Sequence, residues 1–139
     1  MPCKVVFWNN VAKIYMNFSG DDDLTVEQAN DCRDQLRGHE ISELFIYINS
    51  HGGDVVAHLY FADLLLRMKC DISTYVEPYA CSSAILIWLV APRKQRHINS
   101  RVGQIIFHPV EYCKSDKLSR EIGRFLKNQV YAYVVERTN

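Results

Sequence analysis

The sequence predicts an α/β fold, and three observations carry that expectation. Glu43 to Asn49 reads as a continuous apolar strand of the kind buried on both faces in helix-covered parallel sheets. Residues 54–68 follow, after a glycine pair, with Val55, Leu59, Ala62, Leu65 and Leu66 along one helical side. A further strand pattern, Ile72 to Val76, leads to an apolar stretch from Ser82 or Ser83 to Val90 that is too hydrophobic for a surface helix. Strand and helix in alternation define the class.

The remaining elements fit around this centre. Lys4 to Trp8 and Ala12 to Phe18 are β-rich runs around Asn9-Asn10, a hairpin turn because asparagine tolerates positive φ. Thr25 to Leu36 predicts a helix capped by Thr25, with Gln28 three residues on completing a capping box. Asp21-Asp22-Asp23 before it reads as a turn whose charge complements the helix dipole rather than as a metal site. Gln104 to Phe107 is a last strand ending at His108-Pro109. In Lys117 to Arg137 the residues Leu118, Ile122, Phe125, Leu126, Val130 and Val134 recur at helical spacing and require a surface to pack on.

Composition bounds the function. With 139 residues, 48% of them hydrophobic, residues 1–139 suffice for one domain with its own core. Sixteen basic residues balance sixteen acidic ones, which argues against nucleic acid or an anionic membrane as partner. The one basic cluster, Arg93-Lys94-Gln95-Arg96-His97, is expected to be a solvated turn. No apolar run reaches 18 residues and no secretion signal opens the chain, so a cytoplasmic location is expected. The cysteines at 3, 32, 70, 81 and 113 form neither a CxxC pair nor a metal-ligand spacing; they read as free thiols, mostly small buried hydrophobes, with no metal or cofactor implied.

The chemistry is concentrated in two segments. Serine is a poor nucleophile until a base takes its proton, and the carbonyl it attacks needs preorganised donors for the oxyanion. Ser82, flanked by small Ala80 and Ala84 at the start of a helix, is the candidate nucleophile; a helix-capping serine is the structural alternative, and Ser83 and Cys81 compete for the role. His108, at the end of an apolar strand, is the candidate base, ahead of His51, His58, His39 and His97. Gly52-Gly53 allows a sharp turn and close backbone approach, so the N–H groups of Gly53 and Ser83 can form an oxyanion hole.

These residues resemble the proteolytic subunit of the Clp protease (ClpP) and its relatives in the ClpP/crotonase fold. Tyr47-Ile48-Asn49-Ser50-His51-Gly52-Gly53 is similar to the family's YINSPGG, Ala80-Cys81-Ser82 to its AAS nucleophile turn, and the stretch from Asn99 to His108-Pro109 to the segment carrying its histidine. The likeness spans roughly Lys13 to Arg137. It implies repeated ββα units, a mostly parallel sheet and a long C-terminal handle-like helix through which rings stack. It also implies Ser82 as nucleophile, His108 as base, and Gly53 and Ser83 as oxyanion donors. Asp54, Val55 and Val56 after Gly52, and Val110, Glu111 and Tyr112, would be strands that clasp an extended peptide. The implied substrate is a peptide or unfolded protein. The implied partners are further copies of the chain or ClpP-like subunits in a ring, and an ATP-dependent unfoldase.

Departures from the pattern keep alternatives open. His51 stands where the family has proline, Ser83-Ala84 where it has methionine and a small residue, and little chain precedes the first strand for axial loops. The family's triad aspartate lies beyond the handle helix, and no residue matches it here, although Glu111 and Asp116 are near His108 in sequence. A shortened family member is therefore expected, working as a weak dyad hydrolase, completed by another subunit, or acting without catalysis as a structural or regulatory subunit, with a truncated piece of a longer protein as the further alternative. A crotonase-like acyl-CoA enzyme is disfavoured by the Ser82–His108 pair and by the lack of a basic adenine-binding stretch. A Ser/Lys enzyme lacks a lysine at a matching motif.

Overall fold

The computed structural model describes residues 3–18, 22–99, 101–108 and 116–138. β1 (Cys3–Trp8) and β2 (Val11–Asn17) form the expected antiparallel hairpin, with Asn9 at φ 51° in its turn. α1 (Val26–Leu36) follows, and Thr25 and Gln28 complete the capping box as the sequence predicts. β3 (Glu43–Ser50) pairs parallel with β2, α2 (Val55–Leu66) follows, and β4 (Asp71–Cys81) pairs parallel with β3.

β4 runs five residues beyond the expected end at Val76. A register irregularity sets Ser50 opposite Ala80, bringing the last residues of β4 beside the glycine loop that follows β3. β4 then serves two neighbours: Thr74–Val76 pairs with β5 (Arg96–Ile98) and Tyr79–Cys81 with β6 (Gln104–Ile106). β5 is unforeseen in sequence, where its residues read as part of a solvated turn.

The sheet has two different faces. Ile14, Met16, Leu44, Ile46, Ile48 and Val76 are fully buried in one core with Phe61 and Leu65 of α2. On the other face Tyr15, Tyr47, Tyr75 and His97 lie in register and stack ring on ring at centroid spacings of 5.0, 5.0 and 4.6 Å. The expectation of a β3 buried on both faces is thus corrected: Phe45, Tyr47 and Asn49 are only half-buried, the two rings flanked by neighbouring aromatic rings and Asn49 donating to Asn17 Oδ1 at 2.7 Å.

The apolar stretch after Ser83 makes only one short helix, α3 (Ala84–Trp88), before buried turns through Leu89, Val90 and Ala91. α4 (Lys117–Thr138) joins it through its C-terminal half: the Tyr133 hydroxyl donates to the Leu86 carbonyl at 2.7 Å, and Arg137 donates to the carbonyls of Leu89 and Val90. Arg96 is no solvated residue. Its guanidinium is half-buried, donates to the carbonyls of Ala91, Leu89 and Arg137, and lies over the Trp88 ring. At the other end of α4, Leu118, Ile122 and Phe125 are exposed.

Candidate active site

Three side chains hold the glycine loop. The buried Ser50 Oγ accepts from the Gly52 N–H at 3.0 Å, Asp23 Oδ2 accepts from the Asp54 N–H at 2.9 Å, and Ser83 Oγ donates to the Gly53 carbonyl at 3.0 Å. Gly52, at φ 92°, presses against the nucleophile turn: a Cβ there would lie 2.6 Å from the Cys81 carbonyl oxygen and 2.8 Å from Ser82 Cβ. Gly53, at φ 132°, has the Asp23 carboxylate where its Cβ would be. Both glycines are required by close approach as well as by backbone conformation.

Asp54 caps α2, accepting from the N–H groups of Val56 and Ala57. The resemblance-based expectation that Asp54, Val55 and Val56 form a peptide-clasping strand is therefore corrected: the helix begins at Val55, as its periodicity predicts, because the aspartate satisfies the first-turn N–H groups. Val55 still faces the cleft, whereas Val56 lines a groove between α2 and α4. Val110, Glu111 and Tyr112 lie outside the described residues.

Ser82 has a left-handed φ of 55° at the exit of β4, and its N–H donates to the Ile106 carbonyl at 2.7 Å. A non-glycine residue in this region costs on the order of 1–3 kcal/mol and persists only where its surroundings over-determine it. Ser83, not Ser82, takes the helix-capping position, without a side-chain cap bond. The two hydroxyls are thereby separated: Ser83 Oγ is committed to Gly53, while Ser82 Oγ has no hydrogen-bond partner among the described residues. The N–H groups of Gly53 and Ser83 likewise have no acceptor among the described residues. Burial pushes the Cys81 thiol up, which leaves it a poor nucleophile near neutrality. With five residues α3 supplies little dipole.

Gly53, Val55, Ser82, Ser83, Leu86, Phe107, His108 and Val130 line one cleft of about 230 Å³. The structure thus unites the predicted nucleophile, base and donors, although 82 and 108 are remote in sequence. β6 places His108, and the Ser82 N–H bond to β6 couples the two segments. His51 is outside the cleft, its Nε2 bonded to the Tyr79 hydroxyl at 2.7 Å. His58 is fully buried behind the loop with Nδ1 2.7 Å from the Asp54 carbonyl; since a carbonyl only accepts, Nδ1 carries the proton. Burial pushes the His58 imidazole below its ordinary range. Among the described residues no cluster of histidine, cysteine, aspartate or glutamate suits a metal ion.

Sequence reasoning missed Asp23, His58 and Arg96 as parts of this scaffold. Asp23 lies thirty-one residues before its partner Asp54, so no local spacing announces it. Only the excess of aspartates ahead of α1 could have drawn attention there.

A mostly parallel sheet thus carries a glycine loop and a left-handed serine at the carboxyl ends of adjacent strands. The sequence pattern of the Clp protease family matches residues 10–138, and the chain belongs to that family. It is 36% identical over 62 residues to the ATP-dependent Clp protease proteolytic subunit 1 of Rhodopirellula baltica, a match covering 43% of this chain and 27% of that protein. The fold is that of a ClpP1 mutant from Listeria monocytogenes (TM-score 0.74, 20% identity, 94% of this chain and 72% of that one). It is also that of the ClpP protease catalytic domain from Plasmodium falciparum (TM-score 0.71, 24% identity, 94% and 67%). Among the described residues no helix is long and apolar enough to cross a membrane.

Proposed function

We propose that the chain is a serine peptidase subunit of the Clp type that cleaves peptide bonds through an acyl-enzyme on Ser82. The observation that carries this reading is the left-handed Ser82, which lines one cleft with His108, Gly53 and Ser83; among the described residues the Ser82 Oγ has no partner and the neighbouring Gly53 and Ser83 N–H groups have no acceptor. His108 takes the Ser82 proton as Oγ attacks the carbonyl; the Gly53 and Ser83 N–H groups receive the oxyanion; the protonated imidazole then gives its proton to the leaving amine. Water, deprotonated by the same imidazole, releases the acyl group. Val55, Leu86, Phe107 and Val130 make the cleft suited to an apolar side chain beside the scissile bond.

Assembly belongs to the same reading. Leu118, Ile122 and Phe125 are exposed along one stripe of α4 and suit contact between rings formed by this chain alone or with ClpP-like subunits, fed by an ATP-dependent unfoldase. The peptidase test is labelling by a fluorophosphonate together with hydrolysis of a fluorogenic peptide. Wild type is expected to label and to cleave, and Ser82→Ala to do neither. Equal labelling of the two, or none, removes Ser82 as nucleophile; copurification with a larger ClpP-like subunit and no labelling identifies a non-catalytic ring member.

A further inference from the structure

Asp23 sits outside the cleft, yet it touches the backbone that shapes it. Its Oδ2 accepts from the Asp54 N–H at 2.9 Å, and its carboxylate lies flush against the Cα of Gly53. On the opposite side Ser83 Oγ donates to the Gly53 carbonyl at 3.0 Å. The Gly53 carbonyl and the Asp54 N–H belong to one peptide unit, so that unit is gripped at both ends. Rotating it would break two hydrogen bonds and drive a carbonyl toward a carboxylate. Glycine imposes no such restraint by itself, since it occupies positive and negative φ with similar ease.

We infer that Asp23 and the Ser83 hydroxyl form a clamp that fixes the peptide unit between Gly53 and Asp54 and, with the Asp23 carboxylate packed at the Gly53 Cα, limits rotation about Gly53, so that the neighbouring Gly52–Gly53 unit carrying the Gly53 N–H is held as well. Asp23 is thus a positioning residue acting through Gly53, in an inference that rests on the peptidase reading. Its Oδ1 is buried without a hydrogen-bond partner among the described residues, and the nearby His58 Nε2 is in the same condition. A negative charge beside a developing oxyanion would oppose it, so the useful property of Asp23 is its acceptor oxygen, not its charge.

The two properties separate in Asp23→Asn, which keeps an acceptor for the Asp54 N–H and loses the charge, and Asp23→Ala, which loses both. The measurement is the fluorophosphonate acylation rate at saturating probe and the probe concentration giving half that rate. Asp23→Ala should slow the saturated rate roughly 10- to 100-fold, less than the 10²- to 10³-fold for outright loss of an oxyanion donor. The half-saturating concentration should stay within about threefold, and Asp23→Asn should stay within about threefold on both measures. Ser83→Ala should slow acylation too, and the double variant should be no slower than the worse single one, because both ends grip one peptide unit. Wild-type speed in Asp23→Ala, or equal slowing in Asp23→Asn, overturns the clamp. Should wild type take no probe, the peptidase reading fails and the clamp is judged on hydrogen exchange at the Asp54 amide. Exchange about tenfold faster in Asp23→Ala but not in Asp23→Asn upholds it, and unchanged exchange in both overturns it.

Discussion

The two walls of the cleft are built differently. On one side Gly52, Gly53 and Asp54 are tied by Ser50, Ser83 and Asp23, side chains from three separate parts of the chain, and the nucleophile turn is packed against Gly52 without room for a methyl group. On the other side His108 extends from the three-residue β6, and Phe107 before it is 49% exposed. On the peptidase reading the first is the donor wall, set by the interior of the fold, so substitutions there are expected to act on stability and catalysis together; the second is the base wall, peripheral, where changes are expected to act mainly on the chemistry.

The sharpest way to break the donor wall is Gly52→Ala. The added Cβ meets the backbone oxygen of Cys81, which cannot swing aside, and φ is positive. A loss on the order of 4 kcal/mol, at the top of the range for single substitutions, is expected in chemical denaturation. Gly53→Ala is milder, because the obstacle is the movable Asp23 carboxylate; it should cost roughly 1–3 kcal/mol through backbone strain while acylation falls far more than folding does.

Arg96→Met extends the comparison to the support beneath the cleft. It removes donors from the carbonyls of Leu89, Ala91 and Arg137, although Leu89 keeps Arg137 as a donor, and should cost about 2–3 kcal/mol in the same assay. Next comes His58 behind the loop. Burial holds its pKa below the ordinary value, so between about pH 6.5 and that lowered value the unfolded chain takes up a proton that the native chain does not. Stability is full above about pH 6.5 and falls as pH drops through this window, by at most about 1.4 kcal/mol per pH unit. His58→Asn should remove that component of the slope. The smallest effect is expected from Tyr133→Phe, about 1 kcal/mol for the lost bond to the Leu86 carbonyl.

The same division governs what the sequence disclosed. The hairpin at Asn9, the capping box of α1, and the helices α2 and α4 follow from local chemistry and were legible. The sequence also singles out Gly53, Ser82, Ser83 and His108, which the fold brings to one cleft, because glycine next to a strand and a lone imidazole after one are informative without a partner. Local pattern misled where tertiary neighbours decided the outcome. Arg93 to His97 looks like a wet surface until Arg96 finds three carbonyls, and β4 continues past Val76 because β6 pairs with its second half. Asp23 reads from sequence as turn and dipole complement, since nothing near it in sequence reveals Gly53 and Asp54 as its neighbours. The structure also reverses a local detail: Ser83 holds the capping position and a bond to Gly53, which leaves Ser82 in the left-handed turn.

That reversal underlies the central claim that, among the described residues, Ser82 presents the uncommitted hydroxyl of the pair. The direct test is to treat the protein with a β-lactone, digest it, and locate the acyl group by tandem mass spectrometry within the peptide holding Cys81, Ser82 and Ser83. The account predicts an adduct on Ser82 that disappears in Ser82→Ala and forms more slowly, by roughly 10²- to 10⁴-fold, in His108→Ala. An adduct on Ser83 or Cys81, or undiminished acylation of Ser82 without His108, would contradict it.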